Sequence, residues 1–199
     1  MIMKTTRSEA TRHRLLDEGL AILIDRGYHG TGLQELVDRA AVPKGSFYSY
    51  FSSKEQFGAE VVLHYSQESL DALNEALREA KGNARERLSE HYARQAERQR
   101  VSAYTKGCLV GNLAAEVAQR SDRCRAALAA SVERMRNRLA QEIEAGQEDG
   151  SIRTDVPATV LADLLYNSWE GALLRMKVEQ SLEPLEQVRT LVVDGMLRG

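Results

Sequence analysis

TGLQELVDRAAVPKGSFYSYFSSK, residues 31–54, holds a short helix, a tight turn, a second short helix and the start of a third. Thr31 and Gln34 stand at capping-box spacing, so the Thr31 hydroxyl is expected to accept the N–H of Gln34 and start the first helix. Leu33, Leu36, Val37 and Ala40 repeat at helical spacing and form one apolar face. Pro43 and Gly45 are expected to stop that helix and open the next. Phe47 and Phe51 lie four residues apart and anchor the second helix from one side. Lys44, Ser46, Tyr48, Ser49 and Tyr50 are left on its other faces, a ring of hydrogen-bond donors around a small anchored helix. This is the form of a helix-turn-helix whose second helix enters the DNA major groove.

Charge points the same way. From Arg39 to Lys54 there are three basic residues (Arg39, Lys44, Lys54) and no acidic one, in a chain of formal net charge −2. Phosphate neutralisation supplies most sequence-independent affinity for DNA, so a locally basic segment in a slightly acidic chain is informative. The net charge excludes a globally basic, non-specific nucleic-acid binder. Two short helices around a turn also occur as plain structure; the local charge is what favours DNA.

The rest of the chain reads as helix. Its 199 residues contain only three prolines and fourteen glycines, 43 % are hydrophobic, and no stretch alternates like a strand. A first helix is expected from about Ser8 to Arg26, with Leu15, Leu16, Leu20, Leu23 and Ile24 on one stripe. Arg7, Arg12 and Arg14 crowd its beginning, where cations oppose the helix dipole; a nearby phosphate backbone or plain solvation accounts for them. Ser52 with Glu55, or Ser53 with Gln56, caps a fourth helix reaching about Ala80. Asn83 with Glu86 opens the next, to about Arg100. Ser121-Asp122 starts a long one to about Ala145, with Gly146 and Gly150 as breakers. Pro157 heads an apolar helix to about Val178, and Pro184 heads the last, ending at Leu197. The expected fold is all-α: an N-terminal three-helix reading domain over 1–52, then a helical bundle over 53–199.

The helix after Pro157 carries two stripes. Ala162, Leu165, Trp169, Leu173 and Met176 form one; Tyr166, Glu170, Leu174 and Lys177 form its neighbour. Two such faces suggest burial on two sides, in the core and against a partner. Cys108 and Cys124 have no metal-ligand spacing with each other or with His13, His29, His64 and His91, so no metal is expected. No cofactor fingerprint is present. MIMKTTRSEATR lacks a signal-type apolar core and no run is long enough to span a bilayer, so a soluble cytoplasmic protein is expected.

VPKGSFYSYFSSKEQF, with Gly27-Tyr28 and Thr31 before it, resembles the signature of the TetR family of one-component transcriptional regulators. The resemblance implies a repressor that binds operator DNA as a homodimer through its last two helices, on a palindromic site, and leaves it when a small-molecule effector enters the body. Position by position, Lys44, Gly45, Ser46 and Tyr48 match groove-facing residues, and Gln34 matches one that reaches a base from the preceding helix. Ser49, Tyr50 and Lys54 match phosphate contacts. Ser46 and Tyr50 stand where the family often has Thr and His, so the bases read do not carry over.

A narrower resemblance lies in the body. GCLVGNLAAEV around Cys108, with WEGALLRMKVEQSLEPLE from Trp169, is similar to the branch holding acrylate-responsive and N-ethylmaleimide-responsive repressors. It implies that Cys108 and Lys177 belong to the effector-sensing region; Tyr166, Trp169 and Glu170, on the same helix as Lys177, are candidates to line it. Lys106 and a nearby helix start favour the thiolate of Cys108, the form that reacts with electrophiles. A small buried hydrophobe is the plain alternative, and a reversible carboxylate ligand held by Lys177 and Tyr166 is another. A thiol-dependent enzyme using Cys108, with His91 or Glu116, lacks an oxyanion loop, metal set or cofactor fingerprint, so no enzyme is expected.

Overall fold

The computed structural model describes residues 7–199, Arg7 through its backbone alone. The expectation for the Arg7 side chain therefore lies outside the described residues. The chain runs through α1 (Arg7–Arg26), α2 (Leu33–Arg39), α3 (Lys44–Tyr50), α4 (Lys54–Glu79), α5 (Ala84–Val101), α6 (Leu109–Val117), α7 (Asp122–Glu148), α8 (Ala158–Glu179) and α9 (Glu183–Gln187). From α9 it continues into a π-helical stretch, Val188–Met196. No strand occurs among the described residues beyond an isolated antiparallel bridge between Ile152 and Arg198. The expected all-α fold stands.

By packing, the chain forms two compact units, residues 7–66 with Leu109–Ser131, and Gln67–Cys108 with Val132–Gly199. These do not coincide with the expected division at 52/53. Helices α4 and α7 each contribute residues to both units.

In the first unit, Leu15, Leu16, Ile22 and Leu23 of α1 are buried, as are Leu36, Val37 and Ala40 and the three phenylalanines Phe47, Phe51 and Phe57. Gly19 marks where α1 meets α4: a Cβ there would stand 2.3 Å from the Phe57 ring and 3.1 Å from Val61. The second unit buries Leu73, Leu88, Tyr92, Leu139, Ile143, Leu165, Met176 and Leu185 in one cluster. Each unit thus closes its own apolar core.

The caps come out unevenly. Asn83 and Glu86 form the full reciprocal capping box at α5. Ser53 caps α4, its hydroxyl accepting the N–H of Gln56 at 3.0 Å, while Gln56 Oε1 accepts the N–H of Ser52 at 2.7 Å. Ser121 accepts the N–H of Cys124 at 3.0 Å and caps α7. Thr31 does not cap α2. Its buried hydroxyl donates to the Gly27 carbonyl at 2.7 Å, and α2 starts from Gly32 without a side-chain cap. A short loop back to the end of α1 captures the hydroxyl before α2 can use it.

Two breakers act differently from expectation. The reversal between α2 and α3 is made by Ala41, held at φ +51°, with Gly45 inside α3. A left-handed alanine costs about 1–2 kcal/mol, offset here by the packing of the helices it joins. Likewise α7 runs through Gly146 to Glu148; a Cβ on Gly146 would come 2.5 Å from Ile152. That glycine admits Ile152 rather than ending the helix.

Candidate functional site

Helix α3 is held from beneath by aromatic packing. Phe47, Phe51 and Phe57 form a triangle with ring centroids 5.0–5.4 Å apart, each ring almost wholly buried. Burying three phenylalanines contributes roughly 1.5–3 kcal/mol apiece and fixes which side of α3 faces out. Lys44, Gly45, Tyr48 and Ser49 are exposed on that side, with Ser46 and Tyr50 half-buried at its edges. Tyr48 keeps 58 % of its surface exposed, yet its ring stands edge-on to Phe47 at 5.4 Å. Its position is set without its hydroxyl being used up. A Cβ added at Gly45 would meet nothing within 4 Å, so a partner can approach the backbone there.

The neighbouring groups are already engaged. Exposed Gln34 donates from Nε2 to Asp38 at 2.8 Å. Arg39 pairs with Glu18 at 2.8 Å, and Arg12 pairs with Glu60 while lying over the Phe51 ring at 5.6 Å. Of the basic residues picked out there, Arg39 is thus tied to its own unit. Lys54 differs from expectation. Its ammonium donates to the Tyr28 carbonyl at 2.9 Å and sits 4.7 Å from the Tyr28 ring centre. Burial pushes its pKa down, against Glu116, which raises it.

Glu116 is a residue that sequence reading named only as a partner in the rejected enzyme. On α6, it accepts the backbone N–H groups of Tyr28 at 2.9 Å and His29 at 3.2 Å. The turn after α1 is therefore gripped from α6. No spacing rule links positions 88 residues apart, and only the fold brings them together.

A second cluster lies within the other unit. Cys108 closes the loop after α5, and its thiol is hydrogen-bonded to the Glu170 carboxyl on α8. Lys177, two turns further along α8, packs against Gly107: a Cβ there would lie 3.0 Å from Nζ. Gly107 has φ +67°, and Gln99 Oε1 accepts its N–H at 3.1 Å. Only glycine meets both the backbone conformation and the space left by Lys177. Ala103 and Tyr104, also at positive φ, shape the same loop. Trp169 turns into the core against Tyr92, with ring centroids 4.6 Å apart.

Electrostatics in this cluster favour uncharged forms. Burial pushes the Glu170 carboxyl up, and the Cys108 hydrogen bond draws it partly back. Burial also pushes Lys177 down, opposed by the negative charge Cys108 can carry. Tyr166 is raised by burial first, then by Glu170 and Cys108. Of the expected effector residues Cys108, Tyr166, Trp169, Glu170 and Lys177, the structure brings Cys108, Tyr166, Glu170 and Lys177 near one another and packs Trp169 on Tyr92; Gln99 and Tyr92 were not expected there. Cys124 is apart from it, buried in the first unit with its thiol pushed up by burial.

The outer face of α8 was missed. Val160, Leu164, Leu174 and Val178 are exposed, Val178 by 86 %, with Gly171 open between them. Their spacing of four, then seven and three, then four places them on one stripe, the narrow seam of paired helices. Leu174 belongs there and not with Tyr166 and Glu170. On the last helix Leu191 is 68 % exposed.

Comparison with known proteins meets this geometry at both ends. Residues 15–61 match the family model described as "Bacterial regulatory proteins, tetR family", and residues 84–192 match "Tetracyclin repressor-like, C-terminal domain". The HTH-type transcriptional repressor DhaR of Mycobacterium sp. (strain GP1) is 37 % identical over 94 % of this chain and 92 % of its own length. The HTH-type transcriptional repressor NemR of Escherichia coli K12 is 36 % identical over 88 % of both chains. The crystal structure of the reduced form of E. coli NemR superposes with a TM-score of 0.82, covering 92 % of this chain and 95 % of that one at 35 % identity.

Proposed function

The chain belongs to the TetR family of bacterial transcriptional regulators, and from that premise we propose that it is a homodimeric repressor released from a palindromic operator by an effector acting at Cys108. It is a regulator and not an enzyme, as its family and relatives are. The observation that carries the reading is α3: a helix pinned by three buried phenylalanines that turns Lys44, Gly45, Tyr48 and Ser49 outward, with Ser46 half-buried beside them. Those residues, with Tyr50 at the edge and Gln34 from α2, are assigned to the major groove and its phosphates. Lys54 is assigned to holding the Tyr28 turn beside them, with any phosphate contact made by its remaining N–H bonds.

In this reading residues 1–52 do the reading of DNA and 53–199 the sensing and pairing. The exposed stripe Val160, Leu164, Leu174 and Val178, with Leu191, is assigned to a second copy of the chain. Two copies related by a dyad present two α3 helices to half-sites about 10 bp apart or a multiple of it. Such a protein acts where the chromosome is, in the cytoplasm. No described helix is long and apolar enough to cross a membrane.

The effector is assigned to the Cys108, Tyr166, Glu170 and Lys177 cluster, with Trp169 forming its inner wall. An electrophilic conjugated carbonyl fits best: the thiol adds across the carbon–carbon double bond, a C–S bond forms, and the thiol proton ends on the neighbouring carbon. A reversible carboxylate held by Lys177 and Tyr166 is the second reading, favoured by the ammonium at Gly107. Gel retardation on the DNA upstream of the protein's own gene tests both, with and without a maleimide or acrylate. Loss of retardation by the parent on maleimide treatment, with Cys108→Ser still bound, supports the electrophile reading. Full release of Cys108→Ser by acrylate assigns the site to a reversible carboxylate. A parent that retards that DNA no better than random sequence counts against a repressor of that site.

A further inference from the structure

His13, Asp17 and His64 bring one ligand atom each to within 4.8 Å of one another, on the exposed side of the α1–α4 contact. We infer that this cluster is a binding site for a divalent transition-metal ion of the zinc class, clamping α1 to α4. His13 and Asp17 are four residues apart on α1, so both side chains rise from one helical face. His64 comes from α4, one turn after Glu60, which pairs with Arg12 of α1. Gly19 of α1 leaves room for the Phe57 ring and the Val61 side chain of α4, which seats the two helices against each other beside the trio.

The donor set is chemically selective. Two imidazole nitrogens and one carboxylate oxygen suit Zn2+, Co2+, Ni2+ or Cu2+, whereas Mg2+ and Ca2+ prefer all-oxygen shells. Three protein ligands with solvent at the fourth position form an open tetrahedral site. His64 Nε2 now lies 2.8 Å from Asp17 Oδ1, and the His13 and His64 rings meet edge-on at 5.5 Å. Three donors already mutually adjacent need only side-chain rotation to converge on one ion. On binding, the His64 nitrogen that ligates gives up any proton it carries to solvent, so the ion replaces the hydrogen bond to Asp17. The side chain of His64 is 12 % exposed and that of Asp17 58 %, which fixes one ligand by packing and leaves an entry path past the other.

The cluster shares no residue with the Cys108 group or with the residues assigned to DNA, and its test does not depend on either. Tag-free full-length protein, stripped with a chelator, is titrated with Zn2+ by calorimetry and with Co2+ by visible absorption. A single saturable site is expected, with intense tetrahedral Co2+ bands and shifts of the His13 and His64 ring nitrogens in NMR. His13→Ala and Asp17→Asn should weaken it by more than the roughly 10–100-fold that loss of an outer-shell partner costs. Both residues are exposed, so unfolding temperatures without metal should stay near the parent's. Zinc should raise that temperature in the parent and not in His13→Ala. Cys108→Ser should bind zinc as the parent does. Equal affinity in His13→Ala and the parent, or binding abolished by Cys108→Ser, overturns the site, as does the absence of saturable uptake.

Discussion

At the scale of single residues, Tyr48 and Lys54 show how side chains of one motif part company. Tyr48 leans on Phe47 and keeps its hydroxyl in solvent, while Lys54 turns its ammonium onto the Tyr28 carbonyl. Tyr48→Ala should therefore weaken operator binding by about 1–3 kcal/mol and narrow the preference for operator over random DNA. Lys54→Ala should chiefly lower stability, since it removes a charged donor from a half-buried carbonyl. Binding isotherms on operator and random duplexes at several salt concentrations separate the two. An unchanged specificity ratio in Tyr48→Ala would remove that tyrosine from base readout.

At the scale of the element, α8 divides its circumference three ways. Leu165, Leu173 and Met176 are buried, Tyr166, Glu170 and Lys177 border Cys108, and Val160, Leu164, Leu174 and Val178 face out. The third face tests the proposed pairing. Leu174→Glu leaves its own unit's core untouched but puts an uncompensated charge into the pairing seam, a cost of about 3–5 kcal/mol, or two to more than three decades in dimer dissociation. A Cβ added at Gly171 would meet nothing within 4 Å in its own chain, so Gly171→Ala too should spare the fold and perturb the dimer. Sedimentation with circular dichroism reads both: helicity kept and mass halved is the expected result. A parent that sediments as a monomer at micromolar concentration sinks the pairing model.

At the scale of the whole molecule, stability should depend on pH through His91. Burial first, then Arg98 and Arg94, hold its pKa down to about 4. The unfolded imidazole titrates near 6.5, so between those values the unfolded chain binds a proton that the folded one refuses. His91 therefore costs nothing above pH ~6.5, and stability falls as the pH drops from there to about 4, by up to about 3 kcal/mol. Denaturant unfolding of the parent and His91→Gln across that window should show a steeper acid loss in the parent. Parallel profiles would place the acid sensitivity elsewhere.

The sequence by itself determined the helical class, the helix-turn-helix and most helix boundaries, while the grouping of Cys108 with Lys177 came from the resemblance to a family branch. The first three rest on short-range rules: helical periodicity, capping pairs such as Asn83–Glu86, and a motif that occupies consecutive positions. Tertiary structure decided what those rules cannot reach. Thr31 was drawn to the Gly27 carbonyl instead of α2, and the chain reverses at left-handed Ala41, whereas Gly45, expected with Pro43 to stop α2, lies inside α3. Glu116 reached the turn after α1 across 88 residues. Leu174 joined the outward stripe of α8 because packing against α9 and the π-helical stretch set how that helix is rotated. His13 and Asp17 met His64 for the same reason: periodicity tells which residues share a helix face, but only the contact of two helices tells which faces meet.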